Sequence, residues 1–220
     1  MSEKATGGAR TADSSGGSRK WLHIWVAVTA VTWRWLPWPL VAAAVAATVL
    51  HNRWLLPSYW PALFRPGEFG RGFRSGIVAY PLGVLLAVVA FRDRLDLAAA
   101  AWGVLAAGDG LATVVGRRAG GARWPWNPRK TIVGSLAFTG GGAVFAAVLA
   151  TVVGTPSGTP WTVDLLSRLA PCACAAAAAS LVESLPLPIE DNLTVPATAA
   201  LVLAAWERLS GLNSPLVWLR

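Results

Sequence analysis

The feature that most limits what this chain can fold into is the length of its apolar blocks. Between polar, Pro-rich or Arg-rich breaks, predominantly apolar stretches run for roughly 17 to 22 residues, and a helix of that length crosses the hydrocarbon core of a bilayer. The blocks fall at about 19–36, 37–54, 75–91, 96–116, 131–153, 164–185 and 195–209. With 55% hydrophobic and only 14% charged residues, the chain is too apolar for an ordinary water-soluble domain of its size. The pattern predicts an all-α fold, a polytopic transmembrane helix bundle of about seven spans. Trp21, Trp54, Trp60, Trp124, Trp126, Trp161 and Trp218 lie near block edges, where amphipathic indole rings collect at headgroup level.

Charge decides the first two spans. Pro37 and Pro39 interrupt one long apolar stretch that reads as a hairpin or as one kinked helix. Lys4, Arg10, Arg19 and Lys20 precede it, and Arg53, Arg65, Arg71 and Arg74 follow. Positive residues favour the cytoplasm, so both flanks want the same side and two crossings are needed between them. Carrying that orientation onward puts Arg117, Arg118, Arg123, Arg129 and Lys130 inside as well, thirteen of the nineteen Lys and Arg residues. Residues 1–18, rich in Gly, Ser, Ala and Thr, are expected to be a disordered cytoplasmic tail rather than a cleavable signal. Residues 19–220 are expected to form a single transmembrane catalytic domain. The net charge of +8 does not point to nucleic acid, because the basic residues cluster beside apolar blocks instead of forming an aromatic-interleaved stripe. Cys172 and Cys174, two apart in an apolar run, face different sides of a helix and make no metal site alone.

Three polar segments face the predicted cytoplasmic side. Asp109, between Gly108 and Gly110, lies eight residues before Arg117, about 12 Å inward from the basic edge at the rise of an α-helix. Ionisable groups at that depth face a protein cavity and mark a pathway or a site. Asp109, Ala112, Gly116 and Gly120 form one helical stripe with room beside it, although Gly116 and Gly120 also suit a small-residue packing face. Next, Asn127-Pro128-Arg129-Lys130-Thr131 leads into the fifth span. Asn127 is expected to cap that helix with Pro128 at its first position, presenting N–H groups and two cations to a phosphate. No glycine precedes Lys130-Thr131, so this is not a Walker A loop. Arg117, Arg118 and Arg123 serve equally well as positive-inside anchors. Last, Glu183, Glu190 and Asp191 gather around Pro186 and Pro188 with no Lys or Arg among them, either as an exposed acidic turn or as a cation site. Carboxylates beside a basic helix start are the minimal equipment for phosphoryl transfer.

At these residues the sequence resembles the membrane CTP-dependent prenol kinases, phytol kinase and dolichol kinase, related to phosphatidate cytidylyltransferase. The dolichol kinase pattern Asp-x-x-Ala-x-x-x-Gly-x-x-x-Gly, eight residues, two basic residues and Thr is matched by Asp109, Ala112, Gly116, Gly120, Arg129, Lys130 and Thr131. Val133 replaces the Glu usual in dolichol kinases. Asn-Pro-Arg-Lys, Glu-Ser-Leu-Pro and Asp-Asn-Leu-Thr-Val-Pro are similar to the phytol branch, as are Arg19-Lys20-x-x-His23 and Tyr80-Pro81. His51 matches no such element.

The resemblance implies a phosphotransferase that moves the γ-phosphate of CTP to a prenyl alcohol drawn from the bilayer. It implies Mg2+ at Asp109, with Glu183, Asp191 and Asn192 completing the metal site or a carboxylate taking the alcohol proton. Arg129 and Lys130 are expected on the phosphates. Gly108, Gly110, Gly116, Gly120, Asn127 and Thr131 are expected to shape the nucleotide pocket, approached by Lys20 and His23. The expected partners are a nucleoside triphosphate, the alcohol and membrane lipids, in the cell inner membrane with the site facing the cytoplasm. Rival readings are cytidylyl transfer, phosphorylation of dolichol, diacylglycerol or phosphatidate, and a membrane anion or lipid transporter.

Overall fold

The computed structural model describes residues 22–64, 67–68 and 70–212. The expected tail 1–18, together with Arg19 and Lys20, lies outside them. The described chain is helical apart from one short hairpin. Residues 22–28 form a helix that tightens into the 3-10 segment Thr29–Trp35, together α1. Pro37 is extended, and α2 then runs Trp38–Tyr59 with a π-turn at His51–Leu55. α3 is Gly76–Ala90 and α4 is Leu95–Ala119, which widens into a π-turn at Val104–Gly108. The strands β1 (Arg123–Trp124) and β2 (Asn127–Thr131) pair antiparallel. α5 (Ile132–Gly154), α6 (Trp161–Ser184) and α7 (Asp191–Leu212) follow.

Among the described helices, Trp38–Tyr59, Leu95–Ala119, Ile132–Gly154 and Trp161–Ser184 are long and apolar enough to cross a membrane, and Gly76–Ala90 is a shorter apolar helix. Pro37 separates two helices instead of kinking one. Near the start of α1, the Tyr80 hydroxyl of early α3 donates to the His23 carbonyl at 3.0 Å. Near its end, Arg34 donates to the Val152 and Thr155 carbonyls, where α5 finishes. α1 therefore reaches from the start of α3 to the end of α5, and the extended Pro37 lets α2 turn back.

The core is rich in alanine and glycine around a few large side chains such as Phe138, Trp33 and Trp102, which lets backbones approach closely where lipid offers no hydrophobic incentive to pack. Along the α4–α5 seam, a Cβ on Gly103 would lie 2.7 Å from Ala146 Cα, and one on Gly108 would lie 2.6 Å from the Phe138 ring. A Cβ on Gly116 would lie 2.7 Å from Thr131 Oγ1 and 3.4 Å from Gly134 Cα. Two sequence expectations change here. The fifth helix is capped by Thr131, whose hydroxyl accepts from Gly134 N at 3.1 Å, and not by Asn127. Asn127 lies in β2 and accepts from Arg129 N at 3.2 Å, because the strand pairing draws residues 127–131 into an extended run. Gly120 likewise leaves the expected stripe. The helix stops at Ala119, and Gly120 turns the chain with φ 60°, a conformation that disfavours any side chain.

Candidate phosphate cleft

The hairpin β1–β2 is fixed over the end of the bundle by its two tryptophans. Trp124 and Trp126 stack with ring centres 4.7 Å apart. The Trp124 indole donates to Ser135 Oγ of α5 at 2.8 Å, and that of Trp126 to Ser184 Oγ of α6 at 3.1 Å. These N–H groups are bound to the protein rather than to headgroups, and they hold the basic residues of the hairpin at a set height. Arg123 is drawn back to the Pro128 carbonyl across the hairpin.

Beneath the hairpin opens a cleft of about 630 Å³. One wall is the small-residue face of α4, Ala112 and Gly116, continued by Gly120 at the helix end. The rim carries Arg117, Arg123, Arg129 and Lys130, against Glu183 as the single carboxylate of the lining. Four cations against one acid, at the N-terminus of α5 where Thr131 and Gly134 line the wall, favour an anion. The cleft volume is inside the roughly 300–1,000 Å³ typical of small-molecule sites.

Lys130 is the junction of the site. Its ammonium pairs with Glu183 of α6 and, at 3.1 Å, with Asp191 of α7. Burial alone would lower the pKa of this ammonium, but the Glu183 and Asp191 carboxylates outweigh it and hold the group above its ordinary 10.5. Asp191 reaches Lys130 because α7 begins at Asp191, earlier than the apolar block suggests, with its first-turn acid at the positive end of the helix. Asp109 is buried at 8% exposure, on the first residue after the π-turn of α4. A π-turn resets the phase of the residues after it, which is one way a helix aims a functional side chain. Asp109 lies one helical turn before Ala112 and Thr113 of the cleft wall, in whose lining Glu183 also stands.

The expected residues are thus partly gathered. Gly116, Gly120, Arg129, Lys130, Thr131 and Glu183 line the cleft, and Asp191 joins through Lys130. Gly108 serves the contact with Phe138, and Gly110 is buried in α4. The four expected metal ligands are not assembled as one set: among the described residues no group of three or more His, Cys, Asp or Glu is placed to hold a metal. Lys130 pairs with both Glu183 and Asp191, one positive charge against two carboxylates, and the Asn192 amide donates to the Gly76 carbonyl at 3.0 Å. Buried Asp109 and Glu183, the latter with Lys130 on it, are the acids that would hold an ion such as Mg2+, which takes one or two carboxylates and completes its shell with phosphate and water.

His23 stands elsewhere. It stacks on Tyr80 at 4.0 Å in the wall of a second cavity, between α1, α2 and α3. The sequence reading passed over His51, which pairs with Tyr59 in that same wall. The π-turn at His51–Leu55 sets their relation, and residue spacing gives no sign of it.

Comparisons with known proteins find plant relatives. The chain is 34% identical over 150 residues to "probable phytol kinase 3, chloroplastic" of Glycine max, covering 64% of this chain and 44% of that protein. It is 33% identical over 133 residues to "farnesol kinase, chloroplastic" of Arabidopsis thaliana, covering 60% and 42%. It is 30% identical over 203 residues to "probable phytol kinase 2, chloroplastic" of Oryza sativa subsp. japonica, covering 84% and 64%. The chain therefore spans less than two thirds of the length of each of these relatives. No family model matches, and no solved structure matches.

Proposed function

Since this chain belongs to the prenol kinase family, we propose that it carries the γ-phosphate of CTP to a prenyl alcohol of the phytol type. The observation that carries this reading is the cleft in which Arg117, Arg123, Arg129 and Lys130 face, among the described residues, a single lining carboxylate, with buried Asp109 one helical turn before Ala112 and Thr113 of its wall. Phosphoryl transfer asks a protein mainly for positioning and for neutralisation of spread charge, and this rim supplies both.

Arg129 and Lys130 hold the β- and γ-phosphates, with Arg117 and Arg123 closing on the outer oxygens. Asp109 and Glu183 would hold Mg2+, which when bound withdraws charge from the phosphate oxygens. The alcohol oxygen attacks the γ-phosphorus, the bond to the bridging oxygen of the β-phosphate breaks, and CDP leaves. The alcohol proton passes to Asp191, the more exposed of the two acids paired with Lys130. The chain works as a multi-pass membrane protein of the cell membrane, with the cleft on the cytoplasmic side where its basic residues gather.

Labelled CTP and a panel of prenols, incubated with the purified protein in lipid, test the reading. Phosphorylated prenol is expected. A lipid carrying CMP shows a cytidylyl transferase instead, and unmodified alcohols overturn the enzyme. Asp109→Asn is expected to abolish transfer while the protein remains folded in lipid, and unchanged turnover refutes the role given to Asp109.

A further inference from the structure

The cavity holding His23 and His51 measures about 560 Å³ and is bounded by α1, α2 and α3, with Trp102 of α4 at one side. Among the described residues its lining contains no Lys, Arg, Asp or Glu. Polar side chains gather toward the end where α1 starts and α2 finishes: His23, His51, Asn52, Tyr59 and Tyr80. Toward the other end Trp33, Leu36, Val41, Ala44 and Val45 leave an apolar tube, with Trp33 stacked on Trp102 at 5.2 Å.

The polar end is ordered by hydrogen bonds. Asn52 Nδ2 donates to the Ile77 carbonyl at 2.9 Å, which turns its Oδ1 to accept from His51 Nδ1 at 3.0 Å. His51 Nε2 is then the acceptor that meets the Tyr59 hydroxyl. Trp102 Nε1 donates to the Tyr80 hydroxyl at 2.9 Å. This end also borders the phosphate cleft. Asp191, the neighbour of Asn192 in the first turn of α7, pairs with Lys130 of the cleft lining at 3.1 Å. At the start of α3, the Gly76 carbonyl takes Asn192 and the adjoining Ile77 carbonyl takes Asn52.

Resting on the kinase reading, we propose that this cavity is the acceptor site, taking the single isoprenoid chain of a neutral prenol with its hydroxyl among His51, Tyr59 and Tyr80. An apolar tube with a neutral hydrogen-bonding end suits an uncharged hydroxyl better than an anionic headgroup. The volume limits the chain. At about 560 Å³ the cavity is of the size that takes one small-molecule chain, as a single isoprenoid chain requires.

Ala44 lines the apolar part and is exposed, so it accepts a larger side chain without disturbing the core. It stands seven residues from His51, about 10 Å along the helix. Ala44→Phe is expected to lower kcat/KM for phytol and farnesol about tenfold or more relative to geraniol. Thr48→Phe, one turn nearer the polar end, is expected to weaken all three. Binding of tritiated phytol without nucleotide gives a readout independent of transfer: wild type binds and Ala44→Phe does not. Equal changes for the three alcohols, or undiminished phytol binding by Ala44→Phe, overturn the cavity as acceptor site. Phytol bound by wild type but never phosphorylated overturns the kinase reading and leaves the site standing.

Discussion

The bundle carries charge at both ends, and the ends differ in how it is balanced. At the end away from the hairpin, buried Asp96 in the first turn of α4 takes both nitrogens of a fork from Arg94, at 3.0 and 2.9 Å, and Arg168 Nη1 at 2.7 Å. Arg168 also binds Asp164 at 2.8 Å, and Asp164 accepts from Thr155. Arg94 reaches Glu207 of α7 as well. Three acids meet two arginines, and the network fastens α4, α6 and α7 to one another. At the hairpin end, the cations outnumber the acid that shares their cleft. Both ends sink ionised groups among apolar helices. At the far end each of these acids meets an arginine, whereas the positive side chains of the cleft lining converge on open space, so where the charge faces rather than charge itself marks the site.

Breaking each end in turn should separate function from stability. Lys130→Met is expected to reduce kcat/KM about 10³-fold in the labelled-CTP assay, the range seen when one preorganised charge donor to a transition state is lost. Arg168→Met should leave turnover per folded molecule unchanged and destabilise the protein by about 1–3 kcal/mol in denaturant titration, because buried Asp96 keeps Arg94 but loses its second arginine and Asp164 is left with the Thr155 hydroxyl. A large turnover defect in Arg168→Met would erase the distinction between the ends. Gly134→Ala should destabilise by about 1–3 kcal/mol, since its Cβ would lie 2.9 Å from Thr131 Oγ1 and 3.0 Å from the Ala112 carbonyl. Gly140→Ala on the same helix, with nothing within 4 Å, should stabilise by up to about 1 kcal/mol. Trp126→Phe keeps the ring and loses the bond to Ser184, with an expected loss of about 1 kcal/mol in the same titration.

The smallest effect is one of pH. The folded pKa of Lys130 lies above its unfolded 10.5, so its ion pairs contribute fully below that value and are lost only as pH rises through the folded pKa. Stability measured from neutral pH up to 10.5 should show no loss from this group. Lys130→Gln should shallow the fall beyond it.

Much of the fold is legible in block lengths. Residues 131–153 read as a span and form Ile132–Gly154, and 96–116 forms most of Leu95–Ala119. The stripe of Ala112 and Gly116 leads to the cleft wall because helical periodicity alone puts those residues on one face. Asn127 is misread because a strand pair overrides its local preference for a helix start. His51 stays invisible because its partner Tyr59 lies across a π-turn.

By itself, then, the sequence determined the helices, the hairpin of α1 and α2, and the collection of cations at one end, because these follow from transfer of apolar segments out of water and from charge at their flanks. Which carboxylates share Lys130, where Asp109 points after its π-turn, and the uncharged cavity beside the cleft were decided only by tertiary structure. Each depends on the distance between side chains of helices far apart in sequence, and that distance is set by how closely the glycine seams let the backbones approach.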